Sequence, residues 1–190
     1  MVFALAGCGA GGKPEAVVAK FCGALKKFDV ETMRSCIAGA DNNPLDVGEK
    51  DVPPEILNIL KQNAGEITYS IGETALFGDS GTVDVDFTYF DISDAVSAAM
   101  GEYLMQALNM AFSGTDKKAA EELLEDILID KMKEIPAEEA SVSVRFNCIR
   151  TDAGWKIKSL DADVLNIMIG NMLEVLEEIK HDMKSFRDLP

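Results

Sequence analysis

Between Lys13 and Phe28 the apolar residues Val17, Phe21, Ala24, Leu25 and Phe28 recur at helical spacing, and Pro14 stands where a first helical turn tolerates proline. The pattern predicts a helix with one face turned to a core. Asp29 is placed to cap a second helix over Val30 to Ala38 that Gly39 ends, and Pro53-Pro54 opens a third over Glu55 to Asn63 after a loop from Gly39 to Val52. The period then changes from helical to two-residue. Ile67, Tyr69 and Ile71 alternate with Thr68, Ser70 and Gly72; beyond the Gly78-Asp79-Ser80-Gly81 turn, Val83, Val85, Phe87 and Tyr89 alternate with Asp84, Asp86 and Thr88. Asp91 is a cap for a long helix, Ile92 to Phe112, and Ser113-Gly114-Thr115 separates it from another, Asp116 to Glu134, that stops before Pro136. Alternation returns at Val142, Val144, Phe146 and Cys148, and after Asp152-Ala153-Gly154 it continues at Trp155 and Ile157. Asp161 caps a terminal helix whose stripe reads Leu165, Met168, Met172, Leu176, Ile179, Met183 and Phe186.

These elements make an α+β chain. N-terminal helices pack on a curved four-stranded antiparallel sheet, with a helical hairpin inserted between strands and a C-terminal helix. At 190 residues and 47% hydrophobic content, residues 13–190 form one domain large enough to bury a core without cross-links. The formal net charge of −15 repels phosphate backbones and anionic headgroups, so nucleic acid is excluded as a partner and the folded body is not expected to adsorb to a charged membrane.

The first twelve residues stand apart as a tether. A short apolar run ends in Leu5-Ala6-Gly7-Cys8 and breaks into glycines, the order of features in a bacterial lipobox. Cys8 is the expected site of lipidation, the thiol taking a diacylglyceryl group, which places the protein on the extracytoplasmic side of the cell membrane, lipid-anchored. Only six residues precede Gly7 and none is Lys or Arg, so an in-frame extension upstream is expected to supply the charged start of the signal. The alternative is a cytosolic chain that bears a cysteine near its terminus by chance. Cys22, Cys36 and Cys148 then remain, an odd set without paired spacing, and they read as small core residues rather than a disulfide framework or zinc site.

The lipobox, the glycine tether, the helix opening Lys13-Pro14-Glu15-Ala16-Val17-Val18 and closing Ala24-Leu25-Lys26-Lys27-Phe28-Asp29, and the late strand turn Thr151-Asp152-Ala153-Gly154-Trp155-Lys156-Ile157 together resemble the small cystatin-like or NTF2-like lipoprotein domains of Gram-positive bacteria. The resemblance implies helices lying across a curved sheet and a cone-shaped pocket beneath them. It implies no activity. The long inserted hairpin and the helix after Asp161 exceed that compact pattern.

Some NTF2-like proteins are enzymes with an acid or base in the cone, which directs attention to Asp84 and Asp86. Their parity is opposite to that of Val83, Val85 and Phe87, so they are expected on the solvent face beside Arg145, Lys156 and Lys158. Tyr69, Phe87, Tyr89, Phe146 and Trp155 share the apolar parity and are the candidate ligand-binding set; the alternative is that they simply fill the core. His181 lies between Lys180 and Asp182 off the apolar stripe, and no catalytic residue is expected. The loop Asp41-Asn42-Asn43 with Asp46 lacks the glycine and closing glutamate of a calcium loop, so no metal and no cofactor is expected. Seven of nine methionines fall at or after Met100, a distribution suited to an adaptable docking surface or to ordinary core filling. The sequence thus points to a non-catalytic binding module for an apolar small molecule or peptide. An interaction subunit of an envelope complex, paired with a protein partner or as a homodimer, is the alternative.

Overall fold

The computed structural model describes residues 12–39, 45, 52–113 and 117–175, with the backbone alone for 108–113 and 117–121. Cys8, Asp41, Asn42, Asn43, Asp46, His181 and the terminal stripe from Leu176 onward lie outside the described side chains. The chain is α+β. Helices α1 (Pro14–Leu25), α2 (Val30–Cys36) and α3 (Pro54–Glu66) precede strands β1 (Thr68–Phe77) and β2 (Ser80–Asp91). Helices α4 (Ser93–Ser113) and α5 (Lys117–Glu134) separate these from β3 (Glu138–Thr151) and β4 (Gly154–Ile157), and α6 (Ala162–Ile169) follows. The strands form an open antiparallel sheet in the order β1-β2-β3-β4.

Local chemistry sets most boundaries. Asp29 accepts a hydrogen bond from the Thr32 amide at 3.0 Å and starts α2, as its position before Val30 suggests. Expected to reach Ala38, α2 instead stops at Cys36, because Ile37 makes a parallel bridge to Ile157 and the Ala38 amide donates to the Ile157 carbonyl at 2.8 Å. The sheet edge takes the backbone that the helix would have used. α1 ends at Leu25, short of Phe28, whose φ of 54° no helix accommodates. The Gly78-Asp79 turn joins β1 to β2, with Gly78 at φ 64°.

The core lies between the sheet and α1. α1 packs across all four strands, α3 on β2, and α6 on both α3 and β2. Val18, Phe21, Cys22 and Leu25 of α1 are fully buried against Val83, Val85, Phe87, Val144, Phe146 and Ile157. α4 and α5 pack on each other and are rooted in that core through Ile92, Val96 and Ile129. On α4, Met100 and Tyr103 are only half-buried, and the deepest described positions are Ala95, Val96 and Ala99.

The terminal helix departs from expectation. The predicted unbroken stripe from Leu165 is interrupted after Ile169, where Gly170 (φ 61°) and Asn171 (φ 62°) both take the left-handed conformation. The Gly170 carbonyl accepts the Ile92 amide at 3.0 Å, and a Cβ at Gly170 would stand 2.9 Å from both Ile92 Cγ1 and the Phe90 carbonyl oxygen. A tertiary contact, not helix propensity, sets this end. Val164 and Ile167 rather than Leu165 and Met168 occupy the deepest positions of α6.

Candidate functional site

The parity argument brings the candidate aromatic residues to one face of the sheet. Tyr69 pairs with Phe87 across β1 and β2, and Val83 with Phe146 across β2 and β3. The Tyr69 and Phe87 ring centroids are 6.2 Å apart, those of Phe87 and Phe146 6.3 Å, and Phe21 of α1 completes the row 5.7 Å from Phe146, all tilted as quadrupolar rings prefer. Phe87 and Phe146 are fully buried, so in this structure they are packing residues beneath α1. Tyr69 and Trp155, on the two edge strands, remain half-buried.

Tyr89 belongs to a polar network instead. Its hydroxyl donates to Asn171 Oδ1 at 3.1 Å, Asn171 Nδ2 donates to Asp91 Oδ2 at 2.5 Å, and Asp91 Oδ1 accepts the Ser93 amide at 2.8 Å as the cap of α4. Burial pushes the Tyr89 phenol above its usual pKa, and the charges of Asp91, Glu174 and Asp163 add to that shift. The network joins the end of β2, the start of α4 and the turn after α6. Asn171 carries no sequence signal for this role, since its partners lie about eighty positions away.

On the opposite sheet face, Asp84 and Asp86 point outward as their parity requires. Asp84 sits opposite Arg145 in the β2–β3 register and accepts two bonds from its guanidinium, at 2.6 and 2.8 Å, while Asp86 accepts the Ser143 hydroxyl at 2.5 Å. The Arg145 guanidinium holds the Asp84 carboxyl below the usual range. A carboxylate so paired is a poor proton acceptor at neutral pH. Lys156 reaches away from this row to donate to the Ser35 carbonyl on α2.

Among the described residues, no three His, Cys, Asp or Glu side chains converge as a metal site. The thiols of Cys22, Cys36 and Cys148 are buried and free. Burial pushes Cys22 up to about 12 and Cys148 to about 11, so both remain protonated and unreactive near neutrality.

Two exposed apolar pairs stand out, and neither was singled out from the sequence. Leu76 and Phe77 are 58% and 68% exposed at the end of β1, and Leu104 and Met105 are 48% and 67% exposed on α4. Leu76 aligns with Gly81 and Cys148 on the core face, whereas Phe77 aligns with Ser80 and Ile149 on the outer face. An available signal was adjacency: two consecutive apolar residues before a Gly-Asp turn must place one on each face of a strand. Phe77 borders an open recess of about 430 Å³ that Thr82, Ile149 and Lys158 also line.

The turn that bears Leu76 and Phe77 and the root of the α4–α5 hairpin are set at opposite ends of the sheet. The β1–β2 and β3–β4 turns share one end, where the Arg150 amide donates to the Asp79 carbonyl at 2.8 Å. Pro14, the first residue of α1, reaches that end too: its Cγ lies 3.6 Å from the position a Gly81 Cβ would take, beside Leu76. α4 and α5 arise at the other end, from Asp91 and Glu138, which face each other in the register. No helix among the described residues is long and apolar enough to cross a membrane. Comparison with family models, curated proteins and solved structures finds no match for the chain.

Proposed function

We propose that the chain is a lipid-anchored, extracytoplasmic interaction module of the cell membrane, held through Cys8 and docking a protein on its helical hairpin, without catalysis. The observation that carries this is the exposed Leu104-Met105 pair on α4, a helix whose root lies at the end of the sheet opposite the start of α1. A thioether beside a branched aliphatic chain adapts to a partner's contour, and solvent-exposed apolar neighbours of this kind mark contact surfaces. The packed aromatic row supports an interaction role over ligand capture, since Phe21 covers Phe146 where the expected cone would open. The kinship with cystatin-like and NTF2-like lipoprotein domains is part of this proposal, supported by α1 lying across the four strands. Binding of an apolar small molecule or peptide is the second reading, favoured by the half-buried rings of Tyr69 and Trp155 at the sheet edges.

A photoreactive residue introduced at position 104 or 105, irradiated in intact membranes, tests the proposal. A discrete adduct at these positions, lost when the neighbouring residue is made Glu, is the expected result. An adduct of twice the chain mass identifies the partner as a second copy, the homodimer form of the proposal. Absence of any adduct with the protein present and folded overturns it.

A further inference from the structure

We propose that the turn end of the sheet is a seating surface for the lipid bilayer, with Leu76 and Phe77 as its apolar wedge. The inference rests on the anchor reading of Cys8 and adds to it a second membrane contact made by the fold. Its first ground is where the N-terminal segment meets the domain. Pro14 abuts Gly81 and Leu76, so the chain that carries Cys8 enters at the hairpin tip. Even fully extended, the five Cα-to-Cα steps from Cys8 to Lys13 reach no more than about 18 Å. An acylated Cys8 would therefore hold the start of α1, and the turn end beside it, within about 18 Å of the membrane interface.

Its second ground is the chemistry of that end. Leu76 and Phe77 project from opposite faces of one tight turn, so both side chains can enter the interface without displacing strand hydrogen bonds. Lys158 lines the recess beside Phe77, and the exposed cations Lys13 and Arg150 belong to the same end, equal in number to its acids Asp79, Asp152 and Glu15. This end is thus close to neutral in a chain whose formal net charge is −15, and it is where approach to a membrane is least opposed. A diacylglyceryl group already supplies two acyl chains, so a contact of apolar and basic residues at this end would orient the domain on the surface rather than hold it there. The partner is accordingly a phospholipid surface, and the seated orientation puts the root of the α4–α5 hairpin at the far end of the sheet.

The test uses the full chain coupled through Cys8 to a maleimide lipid in phosphatidylcholine vesicles containing lipids brominated along the acyl chain. Coupling is verified by mass and by its loss in Cys8→Ser. Two reporters are compared, Phe77→Trp and Met105→Trp, each with Trp155→Phe so that one indole remains, and each checked for an unchanged melting transition. We expect several-fold stronger quenching and a blue shift for the reporter at position 77, with Leu76→Glu returning that quenching to the level at 105. Equal quenching at the two positions, or quenching indifferent to Leu76→Glu, overturns the proposal. So does vesicle-free self-association that Leu76→Glu abolishes, since a second copy would then be the occupant. Acyl labelling of Cys8 in a bacterial host is read separately: label without the quenching contrast overturns the seating surface and leaves the anchor, whereas contrast without label supports the surface and removes the anchor.

Discussion

Gly170 and Gly39 both hold positive φ, 61° and 78°, but only Gly170 has atoms within 3.0 Å of where a Cβ would stand. The pair separates backbone strain from steric crowding. Gly39→Ala is expected to cost about 1–2 kcal/mol, the left-handed penalty for an L-residue. Gly170→Ala adds a clash with Ile92 and the Phe90 carbonyl, and should cost about 1–3 kcal/mol more, read as a larger fall in denaturant midpoint. Cys22 makes a different prediction. Its folded pKa of about 12 lies above the ordinary 9.0, so the folded state holds the thiol proton more tightly than the unfolded chain. The associated stability is fully present below pH 9.0 and is lost as pH rises toward about 12, so Cys22→Ala should flatten the fall in urea midpoint through this alkaline range. Native Cys22 and Cys148 should also resist alkylation at neutral pH and react once the protein is denatured. Burial of these cysteines was legible in the sequence because their small apolar side chains fall in phase with core neighbours. The left-handed Asn171 was not, because it is fixed by Tyr89 and Asp91 on a distant strand.

Elements announced themselves in the sequence where local chemistry starts them, and concealed themselves where tertiary contact ends them. Asp29, Asp91 and Asp161 each accept a backbone amide at a helix start, as their positions before apolar-periodic segments indicate. The early stop of α2 depends on Ile157 of β4, and the break after α6 on β2, neither of which a local pattern contains. Strand faces were legible for the reason that parity is rigid: Asp84 and Asp86 point outward because Val83, Val85 and Phe87 point inward. Replacing both aspartates with Asn should leave the fold intact and move the urea midpoint only slightly, in keeping with an exposed ion pair. Since Arg145 lowers the Asp84 pKa, any contribution of the pair is present above the usual carboxylate range and declines as pH falls through the lowered value, so the variant should differ from the parent at neutral pH and converge with it in acid. Met172, half-buried just after the break, packs against the core. Met172→Asp should therefore lower the melting temperature of the protein without changing its sedimentation coefficient, at a cost of about 1–3 kcal/mol. Dissociation of an assembly with stability retained would instead place Met172 at an interface.

At the scale of the whole molecule, the sheet has two distinct ends, one beside the start of α1 and the other issuing a helical hairpin. The hairpin was legible in the sequence, but not its place opposite the start of α1, because that follows from the direction in which each strand runs. The site was less legible than the fold. Aromatic parity pointed to the covered face, while the exposed apolar pairs are conspicuous only once their neighbours are known to leave them uncovered. The hairpin also bears on how the chain reaches this structure. β2 and β3 are the central pair of the sheet, yet Asp91 and its partner Glu138 are separated by the whole of α4 and α5. A structureless connection of that length would impose a closure entropy and slow the pairing. Antiparallel helices, assembling from nearby residues, return the chain to within one ladder spacing of where it left and shorten the search. Destabilising the hairpin with a helix-interior proline, such as Asp126→Pro, should accordingly slow refolding more than it accelerates unfolding, seen in stopped-flow chevrons as a lowered folding arm. The insertion that presents the proposed docking surface would then be the clamp that zips the sheet.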